Sequence, residues 1–477
     1  MCILQLRQPR LSSTSVSHSM PLSDDRTKKV VLFVTTLGAF LSPFGMSSVN
    51  IALPSIEKEF LMDAILLSWV TTVYLLTQAM FLVPFGKIAD IYGRKRIFTY
   101  GIVLLTLSST GAAISTSATM LICFRILQGI GGAAVYCIGA ALLTSVFPSK
   151  ELGKVLGINL AAVYIGNSAG PFIGGFLTHH IGWRSIFTVN VVLGLIVIFL
   201  IFWKLKGEEH KIEKEKFDLT GSVLFSISLL LLMYGFSQLS TMRGVWLILP
   251  GMLGVLAFVK WEMKTESPIL EINLFRNNRV FTFSNLAGLI HYSATYAVTF
   301  LLSLYLQYIK KLSPENAGLV LVCQPIVQAF FSPIAGKLSD KAEPRIVASA
   351  GMGLTAVGLS PFIFLNEKTS LGYIVASLVV LGFGLGLFVP PNTNAVMSSV
   401  EHRFYGVASG TLGTMRVMGM GLSMGLIILI FSTYIGKVQI IPEYYPLFLK
   451  CLRMVLTFST GLCFLGILAS LARGNVR

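Results

Sequence analysis

The residues of this chain that could do chemistry are few, and they are set in apolar sequence. PFGKIADIYGRKR, from Pro84 to Arg96, closes one apolar run and opens a basic loop. Its Asp90 can form charge-assisted bonds with Arg94 and Lys95, and such a pair at helix ends can hold one conformation against another. Gly86 lets the helix end approach a neighbour, and Gly93 stands beside the basic pair. Arg125, with Gln128 one helical turn on, lies inside another apolar run. A charge at mid-membrane depth costs about 2.5–3.5 kcal/mol, so Arg125 is expected to face an interior cavity. The competing reading is an arginine reaching back to the interface from a helix end. Arg416 lies inside a later run with no counter-ion nearby in sequence. His291, about twelve residues into its run, could carry a proton because imidazole titrates near neutrality. A hydrogen-bonded core histidine is the favoured reading. The tandem His179 and His180 are expected at the interface.

A different kind of signal comes from GNSAGPFIGG, Gly166 to Gly175. Gly166, Gly170 and Gly174 recur every fourth residue and form one smooth face on which another helix can lie. Pro171 removes a backbone donor and favours a bend, and Gly175 closes the segment.

The elements that position these residues follow from composition. Of 477 residues, 54% are hydrophobic and 12% charged, with a mean hydropathy of +0.77. A soluble domain carries about 25% charged residues, and a water-soluble fold could not hide this much apolar surface. A spanning helix needs about 20 mostly apolar residues. About fourteen runs qualify, near 30–53, 64–85, 97–117, 119–144, 155–177, 184–204, 218–238, 244–263, 279–308, 314–335, 344–365, 370–396, 404–433 and 446–471. The net charge of +16 could suggest nucleic acid, but Lys and Arg cluster in alternate connections, as in cytoplasmic loops of a multi-pass protein. No nucleic-acid partner is expected. Both termini are expected in the cytoplasm, with the lipid bilayer of the plasma membrane as solvent. Residues 1–29 lack the apolar core of a signal peptide and read as a cytoplasmic tail. The six cysteines form no CxxC pair and have no histidine at ligand spacing, so no metal is expected. No phosphate loop, zinc-protease motif or nucleophile turn occurs, which argues against an enzyme or a resident cofactor.

The chain also repeats. PFGKIAD, ending at Asp90, returns as PIAGKLSD with Gly336 and Asp340, each ending an apolar run at the start of a basic loop. At a similar offset Gly153, Gly157 and Gly166 match Gly406, Gly410 and Gly419. The expected fold is all-α: a first six-helix bundle over 30–204, a charged linker and two extra spans over 205–265, and a second six-helix bundle over 266–477. Repeated bundles of this kind expose a central site to each side in turn.

GKIADIYGRKR resembles the loop motif between spans two and three of the major facilitator superfamily, with Ile91 in place of the usual basic residue. RILQG, from Arg125 to Gly129, is similar to that family's fourth-helix motif. GNSAGPFIGG resembles the fifth-helix motif of its exporter branches. With WRSIF at Trp183 and NIALP at Asn50, the chain looks like the fourteen-spanner drug:proton antiporters. The resemblance implies a monomeric carrier that exports small organic molecules in exchange for protons. The branch's first-helix aspartate is replaced by Gly45, and no acid falls at the middle of any run. A preference for neutral or anionic substrates is therefore expected, with uptake of such a metabolite as the alternative. Any proton coupling is expected through His291 or Asp90.

Overall fold

The computed structural model describes residues 25–204, 217–239, 241–265, 268–270, 272–339, 341–401 and 405–474. Residues 205–216 of the linker at 205–217 and the repeat residue Asp340 lie outside them, and of Gly153 only its place in a helix is described. All regular structure among the described residues is helical.

The first half comprises α1 (Asp25–Phe60), α2 (Ala64–Tyr92), α3 (Arg94–Ala113), α4 (Ala118–Val146), α5 (Ser149–His180) and α6 (Arg184–Lys204). An extra hairpin follows, α7 (Leu219–Ser237) and α8 (Met242–Glu262). The short α9 (Ile272–Asn277) leads into α10 (Arg279–Leu304), which ends in a π turn over Tyr305–Ile309. One crossing is made jointly by α11 (Pro314–Leu321) and α12 (Cys323–Ser339). The second half is completed by α13 (Pro344–Leu359), α14 (Leu371–Ser398), α15 (Tyr405–Tyr434) and α16 (Tyr445–Ala472).

Thirteen of these crossings are long and apolar enough to span a bilayer. The fourteenth rod, α3, is 20 residues long but opens on Arg94, Lys95 and Arg96. It packs against α4 and α6 in the first half. Both ends of the described chain, at α1 and α16, lie on one face, called here the terminal face.

The repeat is visible in how helices touch. A Cβ on Gly166 of α5 would lie 2.7 Å from the Phe40 carbonyl oxygen of α1, and one on Gly419 of α15 would lie 2.5 Å from the Leu289 carbonyl oxygen of α10. Likewise Gly101 of α3 abuts the Gly131 carbonyl of α4, as Gly351 of α13 abuts that of Gly384 on α14. Small residues let backbones meet where apolar side chains gain nothing from leaving lipid. Two six-helix bundles carry the same close approaches at matching places. The extra hairpin lies over the seam between them: Ser226 of α7 donates to the Met80 carbonyl of α2 at 3.1 Å, and Met233 fills the space beside Gly421 and Gly425 of α15.

Candidate functional site: a central cavity between the halves

The halves meet most tightly at the face opposite the termini. Ser303 of α10 donates to the Asn50 carbonyl at 2.7 Å, and Gln307 to that of Ile51 at 2.9 Å. Gly318 of α11 sits against the Pro171 carbonyl, and Gly175 against Pro314. His180 and Glu315 face each other across the same seam at 3.2 Å. The segment Gly166 to Gly175 thus serves two contacts. Gly166, Gly170 and Gly174 lie on α1, where their Cβ atoms would strike Phe40, Ser47 and Ser48. Pro171 and Gly175 press on the other half.

Below this seal is a cavity lined by both halves, leaving about 1120 Å³ of non-atom space, open solvent at its mouth included. Its polar lining is Ser42, Ser47, Asn50, Gln78 and Asn167 from the first half and Thr295, Thr299, Gln324 and Gln328 from the second. Four tyrosines, Tyr136, Tyr164, Tyr292 and Tyr296, supply rings. Among the described residues, the one charged group in the lining is Arg416. Its guanidinium donates to the Tyr136 hydroxyl at 3.2 Å and stands 5.1 Å from the Tyr292 ring centre, while Nε is buried without a partner. Tyr136 reaches it from α4, so this bond links the two halves. No carboxylate lines the cavity among the described residues.

The cavity opens toward the terminal face. Gly157 lies two helical turns before Tyr164 on the same side of α5, as Gly410 does before Val417 on α15, and Gly406 lies about four turns before Met420. Nothing stands within 4 Å of a Cβ at any of the three.

The charged residues singled out from sequence are only partly gathered here. Arg125 is 2% exposed and does not line the cavity. It donates to the Val70 carbonyl and to Gln128 Oε1, each at 3.0 Å, and lies 4.4 Å from the Tyr74 ring centre. Gln128 passes the chain on to Ser109 at 2.9 Å. The expectation of a cavity-facing Arg125 therefore gives way to an internal brace of α2, α3 and α4, because the helix turns that face toward neighbours rather than toward the seam. His291 is fully buried, stacked on Phe388 with ring centres 3.9 Å apart. Neither ring nitrogen has a hydrogen-bond partner, which departs from the expected hydrogen-bonded core histidine. The position is core and the bonds are missing, since α14 presents an aromatic face there.

At the terminal face Arg94 pairs with Asp90 at 2.9 Å and donates to the Ala141 carbonyl of α4 at 3.0 Å. This ties α2, α3 and α4 within one half. Gly93 has φ of 102°, a conformation that suits glycine and turns the chain from α2 into α3. Gly86 and Gly336 hold matching places: a Cβ would meet Cys137 of α4 at 3.5 Å and Pro390 of α14 at 3.9 Å, both ordinary contacts. Lys95 lies in the first turn of α3.

Sequence reasoning missed the four tyrosines and Glu57. Tyr292 and Tyr296 are one turn apart on α10, a spacing that could have marked a shared face. Glu57 belongs to α1, which continues past Pro54 to Phe60. It is a buried acid in the last turn of that helix, beyond the expected end of the run at residue 53.

Comparison with known proteins agrees with this architecture. The chain is 30% identical over 443 residues to the riboflavin transporter RibZ of Clostridioides difficile (strain 630), covering 93% of this chain and 97% of that protein. It is 30% identical over 412 residues to the multidrug resistance protein Stp of Mycobacterium tuberculosis (strain CDC 1551 / Oshkosh), covering 84% and 76%. Among solved structures, a bacterial homolog of the human lysosomal transporter Spinster, in an inward-facing and unoccupied conformation, superposes with a TM-score of 0.66 at 17% identity, over 94% of this chain and 98% of that one. The family model described as Major Facilitator Superfamily matches residues 35–282 and 284–475, and the chain belongs to that superfamily of transporters.

Proposed function

We propose that the chain is a fourteen-spanner secondary carrier that moves planar, neutral or anionic organic molecules through the central cavity by alternating access, with export as its net direction. The observation that carries this reading is the cavity lining among the described residues: one fixed cation, four tyrosines, several amides and no carboxylate. A cationic substrate entering such a space would meet Arg416 with nothing to offset it. An anion or a carbonyl-rich ring can instead accept from the guanidinium and stack on the tyrosines. The kinship to a riboflavin transporter supports an aromatic substrate, and that to a multidrug resistance protein supports a drug-like one. Export is favoured by the fifth-helix segment, whose glycines set α5 against α1 while Pro171 and Gly175 meet the other half at the seam.

The excess of Lys and Arg on the terminal face supports cytoplasmic termini and a plasma-membrane location. The opening toward that face then corresponds to an inward-facing form. Protons are the proposed coupling ion and a monomer the working unit. Uptake of a neutral or anionic metabolite is the second reading, favoured by the lack of a carboxylate in the cavity lining among the described residues. The test is transport of riboflavin, an aromatic carboxylate and a lipophilic cation in everted and right-side-out vesicles under an imposed pH gradient. The proposal expects accumulation of the first two in everted vesicles and little of the cation. Fastest movement of the cation would overturn the substrate class, and accumulation confined to right-side-out vesicles would overturn the direction.

A further inference from the structure

The connection between α15 and α16, residues 435–441, does not stay with its own half. It crosses to the first half at the face opposite the termini and docks beside the end of α1. The Val438 carbonyl accepts from the Ala64 backbone N–H at 3.0 Å, at the start of α2. Two residues on, the Ile440 N–H donates to Glu57 Oε1 at 3.1 Å. Ile435 and Ile440 are buried with the strap, and Glu57 beneath it is 5% exposed. Its second oxygen, Oε2, is buried and has no hydrogen-bond partner. Asp63, the N-cap of α2, and Tyr445, at the start of α16, are the ionisable groups acting on Glu57 from the elements around it. Neither is a cation. Lys58 and Glu59, its neighbours on α1, and Lys437 and Glu443, on the strap and just past it, are all exposed at the surface.

A carboxylate ion left in this place would keep one oxygen desolvated and unpaired beside another acid, a costly arrangement that a neutral carboxyl largely avoids. Opening the face must lift the strap, remove the Ile440 donor and bring water to both oxygens.

We infer that Glu57 is a proton-binding site whose loaded form seals the two halves at the face opposite the termini. Because the sealed state holds the proton more firmly than the open state, linkage requires that acid on that side strengthen the seal and alkali weaken it. The proton enters and leaves at one face, so the site sets how readily the carrier opens there. The inference rests on the alternating-access reading above.

The experiment uses the full chain with its six native cysteines replaced by serine and one cysteine placed in the cavity, Thr299→Cys. Labelling by a membrane-impermeant thiol reagent is followed from the face opposite the termini. A second sample with Ile181→Cys, 70% exposed on that face, corrects for the rise in thiolate reactivity with pH. The normalised rate is expected to rise at least fivefold between external pH 5.5 and 8.5. Glu57→Gln, neutral at every pH, should label slowly with no such rise. Ile440→Pro, which removes the strap's donor, should label fast at low and high pH alike, and it guards against a misfolded Glu57 variant. His180→Gln, changed at the other seam contact, should keep the rise. A Glu57→Gln protein that follows the parent curve would overturn the site. Cavity labelling absent at every pH in every variant would overturn alternating access and the site together, whereas labelling without pH dependence in the parent would overturn the site alone.

Discussion

Gly175 on α5 and Pro314 on α11 meet so closely that a Cβ on the glycine would lie 2.5 Å from the proline carbonyl oxygen. This contact joins the two halves at the face opposite the termini, and backbone cannot yield as a flexible side chain can. Gly175→Leu is therefore expected to hold the halves apart there. Transport should fall at least tenfold at normal expression, while labelling of a cavity cysteine from that face should rise. Unchanged transport would mean that the seal forms without this approach.

Asp90 acts at the other face. In this conformation it fixes Arg94, which also holds the Ala141 carbonyl, so the pair sets the relative placement of α2, α3 and α4. Both side chains are partly exposed, and such pairs contribute about 0–1 kcal/mol to stability. Asp90→Asn should thus insert and fold normally yet slow transport severely by shifting the balance of conformations. Initial rates in vesicles matched for protein amount would check this, and rates equal to the parent would remove Asp90 from the cycle.

The sequence carried the fold further than the site. Long apolar runs, alternating basic loops and the repeated GK-[IL]-[AS]-D all report one-dimensional properties, and the helices follow them closely. Azimuth is different. Arg125 was legible as an interior charge, but whether it faced the seam or its own bundle depended on helix rotation, which no spacing around it fixed. Glu57 was hidden for another reason. The run of charge after Pro54 reads as a loop, yet α1 continues and residues 435–441, distant in sequence, cover the acid. Tyr136 and Tyr164 gave no signal because an aromatic in an apolar run serves lipid, core and cavity equally well.

The Arg125 brace yields a stability prediction. Arg125→Met would leave Gln128 Oε1 buried without its donor, a loss of about 1–3 kcal/mol for one unsatisfied group. The detergent-solubilised variant should melt at a lower temperature, with the substrate KM of the surviving protein unchanged. A raised KM at unchanged melting temperature would return Arg125 to the substrate path.

His291 is sealed against Phe388 with both ring nitrogens unpartnered, and no titrating neighbour is within hydrogen-bonding reach among the described residues. A proton carrier needs a route to water in at least one of the two states. His291→Leu, which preserves an apolar fill, is therefore expected to keep transport driven by an imposed pH gradient within about twofold of the parent. Loss of the pH drive with transport otherwise retained would place the imidazole on the proton path.

Arg416 provides the test of substrate charge. Its guanidinium projects from α15 into the cavity, held by the Tyr136 hydroxyl and facing the Tyr292 ring, with a buried Nε still free to donate. A hydrogen bond to a charged donor contributes about 1.5–3 kcal/mol, and each 1.4 kcal/mol is tenfold in affinity. Arg416→Gln should consequently raise the KM for an anionic aromatic substrate about ten- to hundredfold and that for a neutral one less. The same change removes the only positive charge in the lining among the described residues, so lipophilic cations should improve as substrates. Arg416→Lys keeps the charge but loses the planar fork and should fall between the two. Side-by-side KM values for an anion, a neutral ring and a cation in the three proteins would check the ordering. Equal losses for all three substrates in Arg416→Gln would make Arg416 a structural link between the halves through Tyr136, and the cavity's charge would then have no part in choosing what is carried.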